Sequence, residues 1–452
     1  MEKYVLRNTI IDLLLRIEQD SGYSHLLIDH EIKKNHVSPK DEGLLTEIVY
    51  GTINRKITLD YYMNHFINKK KKMEPWVRML LRMSLYQMIF LDKVPDHAII
   101  HEAVEIAKRR GHKGISSLVN GVLRNVQRNG VPSTSEIKDN VERLAIETSH
   151  PTWLVKRWIN YYGYETTKEM CEANLNHRAT SVRIQPLRIS RKEAMEELEK
   201  QGFEVRPSIF SEQGIIIDKG NIIKSYLFQE GYLTIQDQSS MLVGEMLQPN
   251  PGMHILDACS APGGKVTHIA EKMQNKGWID AHDLHAKKIK LIDKKASELQ
   301  LTIIDAKKAD ARNLHETYRP DTFDRILVDA PCSGLGVIRG KPDIKYNKEE
   351  ADITKLATIQ LAILNSVAPL LKEEGKLMYS TCTVDPEENE HVVKQFLHQN
   401  NQYIVDSKLF DEIPESLKDS LGVSEYGVQL FPQSFQTDGF FLTRLIKRVS
   451  PS

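Results

Sequence analysis

The sequence predicts a multidomain protein with an all-α amino-terminal domain, a small α/β middle domain and a carboxyl-terminal α/β domain built on a parallel, doubly wound sheet. Its 452 residues exceed one ordinary domain, and this length favours about three. Apolar residues recur three and four positions apart through the first 130 residues, whereas short apolar runs alternate with helical segments from about residue 236. We therefore place the domains at residues 1–130, 131–235 and 236–452.

The first domain has six segments with helical spacing: residues 7–18, 41–54, 59–66, 76–90, 97–110 and 114–126. A polar linker at residues 128–139 closes it. In the middle domain, predicted helices at residues 151–162 and 165–174 precede β-like runs at 181–185, 203–207 and 214–217. This order is typical of a small RRM-like α/β domain.

The last domain alternates strands with helices, which predicts a parallel sheet covered on both faces. The predicted strands are residues 254–257, 278–281, 302–304, 323–329 and 375–379. The predicted helices are residues 264–272, 286–299, 353–371 and 388–398. Residues 427–432 and 439–446 indicate an antiparallel hairpin at a sheet edge.

Composition limits the classes of function. No run of about 18 apolar residues and no cleavable signal segment occur, so we expect a cytoplasmic protein without membrane contact. Four cysteines without a Cys-x-x-Cys pair predict neither a structural metal nor disulfides. The net charge is zero, but residues 51–130 hold 15 basic and 6 acidic side chains. Such a stretch suits phosphate contacts, although a solvated helix face gives the same pattern.

A glycine pair follows the first predicted strand of the last domain, where residues 256–265 read Leu-Asp-Ala-Cys-Ser-Ala-Pro-Gly-Gly-Lys. Gly263 and Gly264 let the backbone approach a ligand just before a helix, whose N–H groups attract an anion. Asp283 ends the second strand, where a carboxylate accepts ribose hydroxyls, and Asp310 follows the third, near an expected adenine amino group. The glycine motifs of dinucleotide and triphosphate sites are absent, which favours S-adenosylmethionine, with Lys265 facing its carboxylate.

Two cysteines, Cys332 and Cys382, each follow a predicted buried strand, at the end where open α/β sheets bind ligands. Two thiols suit methyl transfer to a pyrimidine carbon, because a thiolate that adds at C6 makes C5 nucleophilic and a base must then remove the C5 hydrogen. Water or a carboxylate can replace the second thiol, and a lone cysteine is more often an inert core residue. Positive charge from the cofactor, Lys341 or Lys345 would favour the thiolate. Cys259, inside the glycine turn, we interpret as structural.

Residues 80–88, 94–108 and 119–123 resemble the NusB family of helical RNA-binding proteins. This resemblance covers roughly the first 130 residues. It implies RNA contact, for which the candidates are Lys69, Lys70, Lys71, Lys72 and Arg78. Domains of this family also contact proteins, so the same surface has two possible uses.

Residues 261–265 (Ala-Pro-Gly-Gly-Lys), 329–334 (Asp-Ala-Pro-Cys-Ser-Gly), 380–383 (Ser-Thr-Cys-Thr) and 386–390 (Pro-Glu-Glu-Asn-Glu) resemble the signatures of the RNA (cytosine-5) methyltransferases of the Sun/RsmB (Fmu) family. The resemblance covers about residues 236–447 and implies a Rossmann-like methyltransferase that uses S-adenosyl-L-methionine. Together with the NusB-like domain, it implies methylation at C5 of a cytosine in 16S ribosomal RNA.

The family resemblance also implies roles for single residues. Cys382 would attack C6, Cys332 would assist elimination and product release, and Asp329 would face both the cofactor and the N3/N4 edge of the cytosine. The cofactor would contact Cys259, Ser260, Ala261, Pro262, Gly263, Gly264, Lys265, Asp283, Lys288, Asp310 and Asp329. Lys288 stands where relatives often carry arginine, which replaces a bidentate contact with a point charge. The role of Asn389 and Glu390 stays open.

Two other functions remain possible from the sequence. The catalytic motifs are shared with transfer RNA cytosine-C5 methyltransferases, and only the helical domain favours ribosomal RNA. A NusB-like RNA-binding or assembly factor with an inactive methyltransferase domain is the alternative outside enzymes. We expect a monomer that acts on free or early-assembly ribosomal RNA without a metal.

Overall fold

A computed structural model of the protein describes residues 5–20, 27–28, 31–32, 37–38, 40–67, 73–92, 94–177 and 179–448. The chain divides into two compact units. The first comprises residues 1–176 and 338–348, and the second comprises residues 177–337 and 349–452.

The described part of the first unit is helical, as its apolar spacing predicts. Its helices are α1 (Val5–Asp20), α2 (Glu42–Asn54), α3 (Lys56–Phe66), α4 (Pro75–Phe90), α5 (Asp96–Arg110), α6 (Lys113–Asn129), α7 (Asn140–Glu147) and α8 (Thr152–Ala173). Leucine, isoleucine, valine and methionine side chains of α1 to α6 form one core. The two predicted helices at 151–162 and 165–174 form α8, which is interrupted at Gly163, where φ is 76°.

A short segment that is distant in the sequence, residues 338–348, also belongs to this unit. Residues 338–348 contain a 3₁₀ turn, Pro342–Tyr346, whose Lys345 is fully buried. The Lys345 ammonium donates to the backbone oxygen of Asn54 at 2.9 Å and to its side-chain Oδ1 at 2.8 Å. Lys345, which we named as a possible source of positive charge for the thiols, therefore makes its hydrogen bonds to α2.

The second unit begins with a four-stranded antiparallel sheet. Its strands are β1 (Thr180–Ile184), β2 (Glu204–Pro207), β3 (Gly214–Lys219) and β4 (Leu233–Ile235), in the order β2-β3-β1-β4. Helix α9 (Arg191–Lys200) starts with a capping box between Ser190 and Glu193, and α10 (Tyr226–Gln229) precedes β4. Val182 and Ile184, on either side of Arg183 in β1, form a core with Ile215 and Ile217 of β3 and with Ala194 and Leu198 of α9.

A nine-stranded mixed sheet makes up the rest of the second unit. The strands are β5 (His254–Asp257), β6 (Trp278–Asp283), β7 (Ile304–Lys308), β8 (Phe323–Asp329), β9 (Leu371–Thr381), β10 (Tyr403–Val405), β11 (Val423–Ser424), β12 (Gly427–Leu430) and β13 (Phe440–Lys447). Their order is β11-β12-β13-β9-β8-β5-β6-β7, and β10 pairs with β13. Strands β5 to β9 are parallel to their neighbours within that group. The predicted hairpin forms from β12 and β13, and β13 also pairs antiparallel with β9.

Helices cover this sheet. They are α11 (Gln238–Leu247), α12 (Gly264–Lys272), α13 (Ala286–Glu298), α14 (Glu350–Val367), α15 (Glu390–Gln399), α16 (Lys408–Glu412) and α17 (Glu415–Lys418). Among the described residues, one helical segment, Glu350–Leu370, is long and apolar enough to cross a membrane by length and composition. Its Ile363, Leu364 and Val367 pack in the core beneath the sheet, which accounts for its apolar character.

Candidate active site

Two cysteine side chains meet where neighbouring parallel strands end. Cys332 follows β8 and Cys382 follows β9, and the two strands are in register, with Asp329 opposite Ser380. The sulfur atoms of the two cysteines lie 3.2 Å apart. The Gly336 N–H donates to the backbone oxygen of Cys382 at 3.0 Å, which ties the Cys332 turn to the end of β9. The strand-end argument from the sequence placed both cysteines at this edge of the sheet, and their side chains are in contact there.

The surroundings of the pair decide which sulfur keeps a proton. The pKa of the Cys332 thiol is raised well above its ordinary value by its hydrogen bond with Cys382, by burial, and by the negative charges of Cys382, Glu388 and Asp329. These contacts favour the protonated form of Cys332, which can donate to Cys382. A donated hydrogen bond stabilises a thiolate on the other sulfur.

Asp329 ends β8 directly beside the cysteines. Lys265 Nζ donates to Asp329 Oδ2 at 2.8 Å, and Ser380 Oγ donates to Asp329 Oδ1 at 2.9 Å. Lys265 also lies 5.2 Å from the centre of the Phe440 ring. Lys265 is thus paired with Asp329, and its expected contact with a cofactor carboxylate stays a prediction. Ser380 was not among the predicted site residues, because only the strand register reveals that it reaches Asp329.

The glycine turn has the backbone shape of a ligand cradle. Gly263 has φ of 99°, a left-handed conformation that L side chains rarely adopt, and a Cβ there would lie 3.3 Å from the Ile292 backbone. A Cβ on Gly264 would have one neighbour within 4 Å, the side-chain nitrogen of Gln236 at 3.9 Å. The turn therefore packs tightly against α13 on one side and leaves room on the other.

The two carboxylates predicted for the nucleoside have different surroundings. Asp283 Oδ1 accepts from the His285 N–H at 3.0 Å, and Lys288 Nζ lies 3.6 Å from Asp283 Oδ2. Asp310 binds the Arg312 guanidinium, with Nε to Oδ1 at 2.9 Å, and this contact lowers the pKa of Asp310. The ribose and adenine roles of these residues stay predictions.

Asp257, at the end of β5, was missed by the sequence analysis. It is fully buried, and neither of its carboxylate oxygens has a hydrogen-bond partner among the described residues. Burial and the neighbouring charge of Asp329 raise the pKa of Asp257 to about 7. Asp257 lies within the stretch at residues 256–265, four residues before Ala261, and this position could have identified it. A buried carboxylate beside the glycine turn fits a positively charged ligand such as S-adenosylmethionine.

Arg183 of the four-stranded sheet supports the same turn. It is fully buried, and its Nη1 donates to the Gly264 backbone oxygen at 2.8 Å. Its Nε and Nη2 donate to the two oxygens of Glu271 at 2.7 and 3.0 Å. Further bonds go to Thr267 and Gln236, so all five N–H groups of the guanidinium are used. The middle sheet thus holds the start of α12.

The candidates for RNA contact are only partly described. Lys69, Lys70, Lys71 and Lys72 lie outside the described residues. Arg78, on α4, is partly exposed, and its Nη1 lies 3.8 Å from Asp60 Oδ1. Within the described ranges no group of three or more His, Cys, Asp or Glu side chains is arranged to hold a metal ion.

Comparison with known proteins fits this geometry. Residues 244–446 match the family "16S rRNA methyltransferase RsmB/F", residues 5–128 match the NusB family, and residues 150–224 match a ferredoxin-like domain of RsmF/B-like methyltransferases. "Probable ribosomal RNA small subunit methyltransferase B" of Bacillus subtilis is 48% identical over 99% of this chain and 100% of the relative. The chain belongs to the RsmB/F methyltransferase family.

Two further comparisons extend over nearly the whole chain. A "Probable ribosomal RNA small subunit methyltransferase B" of Synechocystis is 33% identical over 96% of this chain and 98% of the relative. The crystal structure of PH0851 matches with a TM-score of 0.81 and 26% identity over 98% of both chains. The predicted fold class is confirmed, with a ferredoxin-like middle domain. As a member of this family, the protein is an S-adenosylmethionine-dependent rRNA methyltransferase.

Proposed function

We propose that this protein methylates C5 of a cytosine in 16S ribosomal RNA through a temporary bond between Cys382 and C6 of the base. The contact between the two sulfur atoms, 3.2 Å apart at adjacent strand ends, carries this proposal. A methyl transfer to oxygen or nitrogen needs no thiol, whereas transfer to this ring carbon needs a nucleophile and a base. The relatives' names supply the ribosomal RNA of the small subunit.

The residues divide the chemistry between them. Cys382 adds as thiolate to C6, which places an electron pair at C5, and the Cys332 proton stabilises the attacking sulfur before the bond forms. When bound, S-adenosylmethionine supplies an electrophilic methyl group on a positively charged sulfur. A base must then remove the C5 proton so that the C6–sulfur bond breaks and Cys382 leaves as thiolate. Cys332 is placed to assist this elimination: once Cys382 is bonded to carbon, the Cys332 thiol proton passes to solvent, and the resulting thiolate accepts the C5 proton.

The proposed role of Asp329 is to orient the cytosine base. Its carboxylate is held by Lys265 on one oxygen and by Ser380 on the other, so its direction is fixed before the base arrives. We propose that it faces the N3/N4 edge of the cytosine, where an amino group donates to a carboxylate. The flipped base then enters with C6 toward Cys382. Asp257, Asp283 and the turn at residues 259–265 would hold the cofactor.

The test uses the full-length protein with 16S ribosomal RNA and S-adenosylmethionine. Cys382→Ala abolishes methylation while cofactor binding measured by calorimetry persists. Cys332→Ala accumulates a protein–RNA adduct that resists denaturant. Bisulfite sequencing of total RNA with and without the protein identifies the cytosine, and a site in transfer RNA alone would replace the ribosomal assignment. Full activity of Cys382→Ala would contradict the covalent route.

A further inference from the structure

One buried carboxylate lies beneath the Cys332 turn and has no part in the steps above. Glu388 is fully buried. Its Oε1 accepts from the Ser333 backbone N–H at 2.8 Å and from Gln360 Nε2 at 3.1 Å, and its Oε2 accepts from the Ser333 hydroxyl. Gln360 Nε2 also donates to the Pro331 backbone oxygen at 2.9 Å. The residues on both sides of Cys332 are therefore attached to Glu388, directly or through Gln360.

The same carboxylate is also linked, through Ser333, to the residue that follows Cys382. Ser333 Oγ lies 2.9 Å from Thr383 Oγ1, and because the Ser333 proton goes to Glu388, Thr383 is the donor in this pair. A chain of hydrogen bonds thus runs from Glu388 through Ser333 to Thr383. Ser333 and Thr383 are the residues that follow Cys332 and Cys382 in the sequence.

The neighbouring Asn389 holds the second turn independently. Its Oδ1 accepts from Thr381 Oγ1 at 2.5 Å, and its Nδ2 donates to the Thr383 backbone oxygen at 3.1 Å. These bonds fix the residues on either side of Cys382. The Pro-Glu-Glu-Asn-Glu string, whose role the sequence left open, therefore places Glu388 under the Cys332 turn and Asn389 beside the Cys382 turn.

Burial of the ionised Glu388 carboxylate costs free energy. Burial raises the pKa of Glu388 to about 7, despite the hydrogen bonds from Ser333 and Gln360. A glutamine or an apolar residue in this place avoids the cost of a buried charge. A costly group at an active site is more readily explained by what it positions than by what it adds to stability.

We propose that Glu388 is a positioning residue that sets the Cys332 turn for elimination, while Asn389 keeps Cys382 placed for addition. This inference rests on the proposed function, because elimination is a step of that reaction only. Loss of Glu388 releases the Ser333 N–H and hydroxyl and lets the Cys332 turn move. Addition by Cys382 continues, elimination slows, and the covalent adduct accumulates.

The experiment compares Glu388→Ala, Glu388→Gln and Ser333→Ala in the full-length protein with 16S ribosomal RNA. Glutamine keeps an acceptor for the Ser333 N–H, but its amide NH2 faces the Ser333 hydroxyl, which loses its acceptor. Ser333→Ala removes the link to Thr383 and keeps the backbone bond. Glu387→Gln is the matched control, because Glu387 accepts from Thr354 Oγ1 at 2.6 Å on α14, away from both thiols.

The readouts are multiple-turnover rate, denaturant-resistant adduct and cofactor affinity. For Glu388→Ala we expect turnover to fall by roughly 10- to 100-fold, as a misplacement of about 1 Å produces. The adduct fraction rises and cofactor affinity stays unchanged, while Glu388→Gln and Ser333→Ala give smaller effects in the same direction and Glu387→Gln gives none.

The inference would be overturned if the turnover rate and the adduct fraction both fell in Glu388→Gln and Ser333→Ala. A purely structural role for Glu388 predicts that result. Normal turnover in both variants would overturn it as well. If Cys332→Ala in the otherwise unchanged protein forms no adduct, the covalent mechanism itself fails, and this outcome is distinct from a failure of the Glu388 role.

Discussion

Replacing Asp257 with asparagine removes a buried carboxylate that has no hydrogen-bond partner among the described residues. Its pKa of about 7, against an ordinary value of 3.8, means that the ionised form is disfavoured in the folded protein. A tenfold change in proton affinity corresponds to about 1.4 kcal/mol, so the ionised Asp257 lowers the free energy of unfolding by about 4 kcal/mol above pH 7.

The sign of the pH dependence follows from proton binding. Between pH 4 and pH 7 the folded protein keeps the Asp257 proton while the unfolded chain loses it, so the free energy of unfolding falls as pH rises through this range and stays low above it. Asparagine has no such loss, although its buried NH2 group costs about 1–3 kcal/mol without a partner. We expect Asp257→Asn to be more stable than wild type at pH 8 by about 1–3 kcal/mol.

Urea unfolding at pH 5 and pH 8 measures this effect. The advantage of Asp257→Asn should shrink by about 2–3 kcal/mol between pH 8 and pH 5, because much of the penalty is absent at the lower pH. The constant cost of the asparagine amide cancels in this comparison. An equal difference between variant and wild type at the two pH values would refute the reasoning.

Cofactor binding provides a second measurement on the same residue. A positive ligand beside Asp257 favours its ionised form, so binding S-adenosylmethionine at pH 7 should release up to about half a proton. Calorimetry in two buffers of different ionisation enthalpy counts the released protons. Asp257→Asn should release fewer and bind more weakly, and equal proton release would show that the carboxylate does not face the ligand.

Two further changes test the neighbouring contacts. Arg183→Met leaves Glu271 buried without its cation and should lower the free energy of unfolding by about 3–5 kcal/mol, whereas adding Glu271→Gln should recover part of the loss, and urea unfolding of both proteins checks this. Asp283→Ala should weaken S-adenosylmethionine binding by about 1–3 kcal/mol in calorimetry, because ribose hydroxyls lose their acceptor, and an unchanged dissociation constant would exclude the ribose role.

The parts that local sequence controls were predictable. Apolar runs marked the parallel strands, and the rule that ligands bind at their carboxyl ends was enough to bring Cys332 and Cys382 together. The hairpin at residues 427–447 was also visible, but its pairing with β9 was not, because strand partners are set by tertiary packing rather than by local pattern. The placement of residues 338–348 in the first unit had no local signal either.

The polar contacts that support the site could not be predicted from the sequence, because they join residues that are far apart in the chain. Arg183 lies on β1 and is 81 residues from Gly264 in the sequence, yet four of its five guanidinium hydrogen bonds go to Gly264, Thr267 and Glu271 of α12. A single sequence shows neither burial nor distance. Lys265, Asp283 and Asp310 were chosen from motif positions, and the structure adds what motifs lack, namely the groups to which these side chains already bind.

The Arg183 contacts indicate that the middle domain supports the start of α12. Arg183 of β1 and Glu271 of α12 form a fully buried pair. Because separation of the two elements would leave one buried charge without the other, we expect the turn at residues 259–265 and the middle sheet to stabilise each other. A fragment that begins after β1 should therefore bind S-adenosylmethionine less tightly than the full chain, even though every predicted cofactor residue is present.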